Sequence, residues 1–173
     1  TLQEGTNNLL KFTVTAAPSG AVRLRRLTFQ IATTTTMLTN PTFSGQNGSV
    51  GNVSLNLQGT EITVTFDSDT NTLDSTIQAG RSKTYLLSGS VSLIDKDPPR
   101  SVAIGLKTDK EYPSLSTLMG DVSTLERQNH SIIWSPLSLD KVSKLDKDWT
   151  NGYGFRVGCF ALVPQGENCP MSI

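Results

Sequence analysis

Five stretches of this chain alternate apolar and polar residues with a period of two: Phe12-Val14-Ala16, Val53-Leu55-Leu57, Ile62-Val64-Phe66, Tyr85-Leu87-Gly89-Val91-Leu93 and Val102-Ile104-Leu106. A backbone that sends successive side chains to opposite faces converts this rhythm into one buried face and one wet face, the geometry of a β-strand rather than a helix. The polar positions are filled mostly by Thr, Ser, Lys and Asn, and the 22 Thr and 19 Ser of the sequence suit half-solvated strands, because a branched Cβ fits the pleated backbone. The chain is expected to be all-β. Its 173 residues are enough for a substantial core and usual for one sandwich domain.

Turn chemistry divides the rhythm into strands. Pro18-Ser19-Gly20 follows a strand over Leu9–Ala17 and precedes another over Ala21–Thr33, predicting a hairpin between them. Within the second strand Val22 and Leu24 share one parity while Leu27, Phe29 and Ile31 have the other, so a bulge near Arg25-Arg26 is required to keep one core face. These two arginines read as solvent-facing charges on an edge strand. The run Thr33–Thr36 fits a strand or a linker equally well. Gly, Asn and Ser around Gly45–Gly51 predict a turn, and Gly59-Thr60 predicts a tight return between Val53–Leu57 and Ile62–Phe66. A long strand from Ser82 to Ile94 ends at Asp97-Pro98-Pro99, where proline cannot donate to a ladder. Arg100–Thr108, Asn129–Ser135 and parts of Gly154–Val163 supply further strands, while Asp109–Gln128 reads as a loop with one short helical turn. About eight to ten strands at short spacing, with no sustained helical period, predict two antiparallel sheets packed face to face, Ig-like or jelly-roll-like, with a closed barrel as the alternative.

The chemistry-bearing residues are sparse. Lys plus Arg equals Asp plus Glu at 15 each, so the basic footprint of a nucleic-acid binder is missing, and no apolar run reaches the ~20 residues of a membrane helix. His130 is the single histidine and has no neighbouring acid to orient it; the sequence has no nucleophile elbow, phosphate loop, dinucleotide fingerprint or zinc-type Cys/His spacing. No enzymatic activity and no cofactor are expected. Asp67-Ser68-Asp69-Thr70-Asn71-Thr72-Leu73-Asp74 begins like a calcium loop, but Thr72 stands where the glycine belongs and Gln78 where the bidentate Glu belongs, so a solvated turn is favoured.

Cys159 and Cys169 flank a segment with Pro164, Gly166 and Asn168, a layout that predicts a disulfide closing a terminal loop, with two unpaired thiols as the alternative. Such a bridge would imply an oxidising compartment. N-x-S sequons at Asn47, Asn52 and Asn129 are glycosylation acceptors if the chain is exported, or chance matches in a Ser/Asn-rich sequence. The chain opens at Thr1, read as a mature product whose leader was removed or as a trimmed chain. Trp134, beside Ile132 and Ile133, reads as core; Trp149 and Tyr153 are the better interface residues and would form the aromatic platform of a carbohydrate-binding module.

Lys11-Phe12-Thr13-Val14-Thr15-Ala16 with Ser19-Gly20, Arg26-Leu27-Thr28-Phe29, Ile77-Gln78-Ala79-Gly80, Ile133-Trp134-Ser135 and Asp148-Trp149-Thr150-Asn151-Gly152-Tyr153 together resemble secreted, cell-surface Ig-like β-sandwich modules of uncultured, small-genome bacteria. The matching segments are spread over residues 9–154, and the cysteine-bearing end departs from the pattern. The resemblance implies an exported, non-enzymatic surface domain and carries over no catalytic residues. The resulting expectation is an extended segment over residues 1–10, a sandwich over 11–163 and a tied C-terminal segment over 164–173. Copies would join by strand exchange into a pilus-like homopolymer, with Thr1, Leu2, Leu9 and Leu10 at the interface and the N-terminal segment as the preferred donor. The alternative is a monomeric adhesion or carbohydrate-binding module that takes surface glycans.

Overall fold

The computed structural model describes residues 2–45, 48–50, 53–66, 72–94, 99–107, 131–137, 160–163 and 168–172. It is an all-β sandwich. In chain order the strands are β1 (Gly5–Thr15), β2 (Ala21–Thr34), β3 (Thr36–Gly45), β4 (Gly48–Ser49), β5 (Val53–Gln58), β6 (Glu61–Phe66), β7 (Thr76–Ile77), β8 (Ser82–Leu93), β9 (Ser101–Leu106), β10 (Ile132–Leu137), β11 (Phe160–Val163) and β12 (Asn168–Ser172). A single helical turn, α1 (Thr72–Ser75), precedes β7. One sheet is ordered β12-β1-β8-β3-β4; the other is ordered β11-β9-β2-β6-β5, with β10 and β7 also paired to β2. Both sheets are open. Every described pairing is antiparallel except that of β1 with β12.

The two-residue rhythm sets which face is buried. In β6 the residues Ile62, Val64 and Phe66 are buried while Glu61, Thr63 and Thr65 stay half-exposed, and β9 buries Val102, Ile104 and Leu106 in the same way. Across the interior five aromatic rings form a continuous cluster. Phe12 lies 5.5 Å from both Phe29 and Tyr85, Phe43 is stacked on Tyr85 at 5.4 Å, and Phe66 meets Phe43 and Tyr85 edge-on at 5.8 and 6.0 Å. These separations are the favourable offset and T-shaped geometries for aromatic pairs. Phe12, Phe43 and Tyr85 come from one sheet and Phe29 and Phe66 from the other, so the cluster joins the two layers.

The expected hairpin between β1 and β2 does not form. β1 pairs with β8 and β12, whereas β2 pairs with strands of the opposite sheet. The Pro18-Ser19 turn is an arch that carries the chain from one layer to the other, with Gly20 N–H and Gly80 N–H both donating to Ala17 O. Two consecutive strands that each own an apolar face can bury those faces against each other as well as they can share an edge, and Phe12 against Phe29 is that contact. A second crossing occurs in the threonine run. Thr35 has φ of 50° between β2 and β3, an uncommon conformation for a β-branched residue, and its hydroxyl donates to Pro99 O.

β2 is the spine of its sheet. Along one flank it pairs with β10 through Ala21–Leu27 and then with β9 through Phe29–Thr34; along the other it pairs with β7 through Val22-Arg23 and then with β6 through Arg26–Gln30. The register against β10 shifts so that Ile133 faces Arg26 and Trp134 faces Leu24, which leaves Arg25 as the extra residue of the parity-restoring bulge. Arg25 and Arg26 therefore do not lie on an edge strand. Trp134 is half-buried and packs against the core. The tight return at Gly59-Thr60 is a two-residue hairpin loop between Gln58 and Glu61, with Gly59 at φ of 57°.

In the first sheet both neighbours of β8 bulge at the same place. β1 shifts register between Asn8 and Leu10, which explains how the consecutive residues Leu9 and Leu10 are both buried, and β3 shifts between Thr39 and Thr42 around Asn40-Pro41. Gly89 of β8 sits between these bulges, beneath the side chains of Leu9 and Leu38.

Candidate interaction surface at the sheet edges

An open sandwich offers backbone donors and acceptors along its edge strands, and each edge is a template for another strand unless it is covered or disrupted. The two long sides of this molecule are managed differently. On one side β3 lies against β5. From Thr36 to Phe43 the outer edge of β3 has no partner strand among the described residues, β4 meeting it only at Ser44 and Gly45. That edge is interrupted by the bulge at Asn40-Pro41, where Asn40 has φ of 48° and proline supplies no N–H.

On the other side β1 lies against β11, and β12 covers the edge of β1 from Lys11 to Thr15 in a parallel ladder. Phe12 faces Cys169 and Val14 faces Met171 in that register. The preceding half of β1, Gly5–Leu10, pairs with β8 on one side and with no described strand on the other. Asn7 occupies this stretch and donates from Nδ2 to the carbonyls of Gln3 and Gly5. Between β11 and β12 the chain therefore passes from the β9 edge of one sheet to the β1 edge of the other within residues 164–167.

The residues singled out from sequence fall into two groups. Leu2, Leu9 and Leu10 are buried in this chain's own core, and β1 runs unbroken through the expected division between residues 10 and 11. Thr1, Asn47, Asn52, Asn129, His130, Trp149, Tyr153 and Cys159 lie outside the described residues, as do Asp67, Asp69 and Asn71 of the acidic stretch. Cys169 is placed only by its backbone, opposite Phe12. Among the described residues no group of three or more His, Cys, Asp or Glu side chains could hold a metal ion, and no helix is long and apolar enough to cross a membrane.

Charge concentrates where sequence reading gave it little weight. Arg23, on β2, donates from Nε to Thr76 Oγ1 at 3.4 Å. Burial lowers the pKa of Arg23, and burial together with the neighbouring Arg25 lowers that of Arg26. Nearby α1 brings Asp74 to β8. The Tyr85 hydroxyl donates to Asp74 O at 2.7 Å, and burial, reinforced by the Asp74 charge, pushes the phenol far above its ordinary pKa. Burial lowers the pKa of Lys83, opposed by Asp74. Lys107 and Glu61 form an ion pair that bridges the β9 and β6 flanks of β2. Comparison of the chain with protein-family models, with curated proteins and with solved structures returns no match.

Proposed function

We propose that this chain is a non-enzymatic structural subunit of an extracellular filament or pilus-like surface assembly, its copies joined by β-strand exchange. The observation that carries the reading is the C-terminal strand. β12 is a short strand on the rim of an open sheet, it follows a link of only residues 164–167, and it completes β1 through backbone pairing. The same ladder can be supplied by β12 of a neighbouring copy without changing any hydrogen-bonding group, and a head-to-tail exchange of that kind propagates without closing. The N-terminal segment is the weaker donor, because Leu9 and Leu10 are central to the core and Gly5–Leu10 already pair with β8. Support for an extracellular location comes from the sequence: the cysteine pair, the Ser/Thr-rich composition and the resemblance to secreted surface modules.

Electron microscopy of gently extracted native material, with sedimentation of the purified chain, tests the reading. Regular filaments from the full chain are expected, together with monomers from a chain lacking residues 164–173 and shortened filaments when a peptide of that sequence is added as a cap. Dispersed globular particles from the full chain would refute the assembly and leave the adhesion module in its place. Normal filaments from the shortened chain would refute β12 as the donor.

A further inference from the structure

The junction of β9 and β10 on β2 has an unusual hydrogen-bonding arrangement. In an antiparallel ladder, a hydrogen-bonded pair of residues exchanges two bonds, each residue using its own N–H and C=O. Thr28 makes both bonds, but with two different residues: its N–H donates to Ser131 O at 2.7 Å, and its C=O accepts from Lys107 N–H at 2.7 Å. Lys107 and Ser131 therefore divide a single ladder position between them. The flanking registers agree, since Leu106 faces Phe29 and Ile132 faces Leu27, the residues on either side of Thr28. The core face continues through the junction as in one strand, Leu106 and Ile132 both being in the core; the shared position lies on the opposite face, where Thr28, Ser131 and Ile133 are buried as well.

We infer that β9 and β10 are two halves of one strand, that residues 108–131 are an insertion into it, and that the sandwich folds without them. The offset between the half-strands is 24, the difference between Ser131 and Lys107. Removing residues 108–131 joins Lys107 to Ile132 and leaves one residue opposite Thr28, with the bulge at Arg25 unchanged. The site is a display position in the middle of a sheet: a segment placed there leaves both the register and the core unchanged. The opposite flank repeats the arrangement on a smaller scale. Arg26 faces Thr65 in β6 and Arg23 faces Thr76 in β7, so the intervening two positions of β2 are spanned by residues 66–75. This inference does not depend on the filament reading.

The test is a pair of deletions one residue apart. The chain lacking 108–131 is expected to give strand-rich circular dichroism and one cooperative melt within about 5 °C of the full chain, with the Thr28 amide still protected from hydrogen exchange. The chain lacking 107–131 leaves nothing opposite Thr28. Its β10 must slip by one residue, turning Ile132 and Trp134 away from the core, and its melt is expected roughly 10 °C or more lower. Ile133 is buried outside the core cluster, so the first deletion is also made with Ile133→Thr to keep that face soluble. Cooperative folding of either form, with the one-residue-longer deletion clearly less stable, supports the insertion. Loss of folding in both forms, or equal melts for the two deletion lengths, overturns it.

Discussion

Gly89→Ala tests whether the paired bulges of the first sheet exist to close over a position without a side chain. A Cβ at residue 89 would lie 2.8 Å from Leu38 Cδ1, 3.2 Å from Leu9 Cδ1 and 3.4 Å from Thr39 O. Carbon atoms pack best at ~3.5–4.0 Å, so the first two contacts are short by roughly 0.7 and 0.3 Å. Neither leucine has open space to retreat into, since Leu9 is 0% and Leu38 7% exposed. Forcing a methyl into such a site costs about 1–3 kcal/mol. Against this, replacing glycine by alanine restricts the unfolded chain and returns ~0.4–1 kcal/mol. The net expectation is a loss of about 1–2 kcal/mol, or roughly 2–8 °C in Tm. Urea titration followed by circular dichroism measures it. Gly20→Ala is the control of opposite sign: an added Cβ there meets nothing within 4 Å, and Gly20 is not among the residues with positive φ, so a gain of ~0.4–1 kcal/mol is expected. A double-mutant cycle sharpens the argument. Leu38→Ala removes the nearest atom and should cost less by at least ~0.5 kcal/mol in the Gly89→Ala background than in the parent. A Gly89→Ala chain as stable as the parent, or additive losses in the cycle, would refute the close approach.

Tyr85→Phe keeps the ring cluster but removes the donor to Asp74 O, and an unfolding titration at neutral pH should show a loss of about 0.5–1.5 kcal/mol. The raised phenol pKa also gives a pH dependence: above the ordinary tyrosine pKa of ~10 the unfolded chain releases a proton that the folded chain retains, so stability falls as pH rises. Melts between pH 9 and 12 should decline less steeply for Tyr85→Phe than for the parent, and equal slopes would contradict the assignment. Pro41→Val returns an N–H to the bulge of β3, and light scattering at rising concentration should show earlier association than in the parent; matched scattering would mean that the bulge alone protects that edge.

Sequence alone exposed those parts of the fold that depend on neighbouring residues. The β5–β6 hairpin was legible because Gly59-Thr60 separates two alternating runs by two residues, and the bulge at Arg25 because the apolar parity of β2 reverses around it. The arch between β1 and β2 was not, since Pro-Ser-Gly reverses a chain equally well within a sheet or between sheets. Leu9-Leu10 interrupts the alternation, and that doublet is the signal by which the β1 bulge could have been found. β12, Asn168-Cys169-Pro170-Met171-Ser172, carries only one short alternation, Cys169 and Met171 about a proline, and its parallel pairing is fixed by a partner more than a hundred residues upstream. The continuity of β9 with β10 exists only in space. Of the proposed interaction surface, the sequence pointed to the termini and preferred the N-terminal one; burial of Leu9 and Leu10, which no short-range pattern reveals, is what moves the proposal to the C-terminal end.

The pairing of β1 with β12 also orders events in time. Lys11 and Asn168, near opposite ends of the chain, face each other in the ladder, and β1 meets its other neighbour only when Ser82–Val91 are available. β1 must wait for residues 168–172 before both edges of Lys11–Thr15 are covered, and loop closure over such separations is slow. During synthesis Phe12 and Val14 belong to a strand whose outer edge has no partner. The interval before β12 arrives is when that edge is open to other chains. Under the proposed strand exchange, a second molecule that reaches it first would occupy the same ladder, so the interval between β1 and β12 sets the competition between closing the sandwich and joining a neighbour.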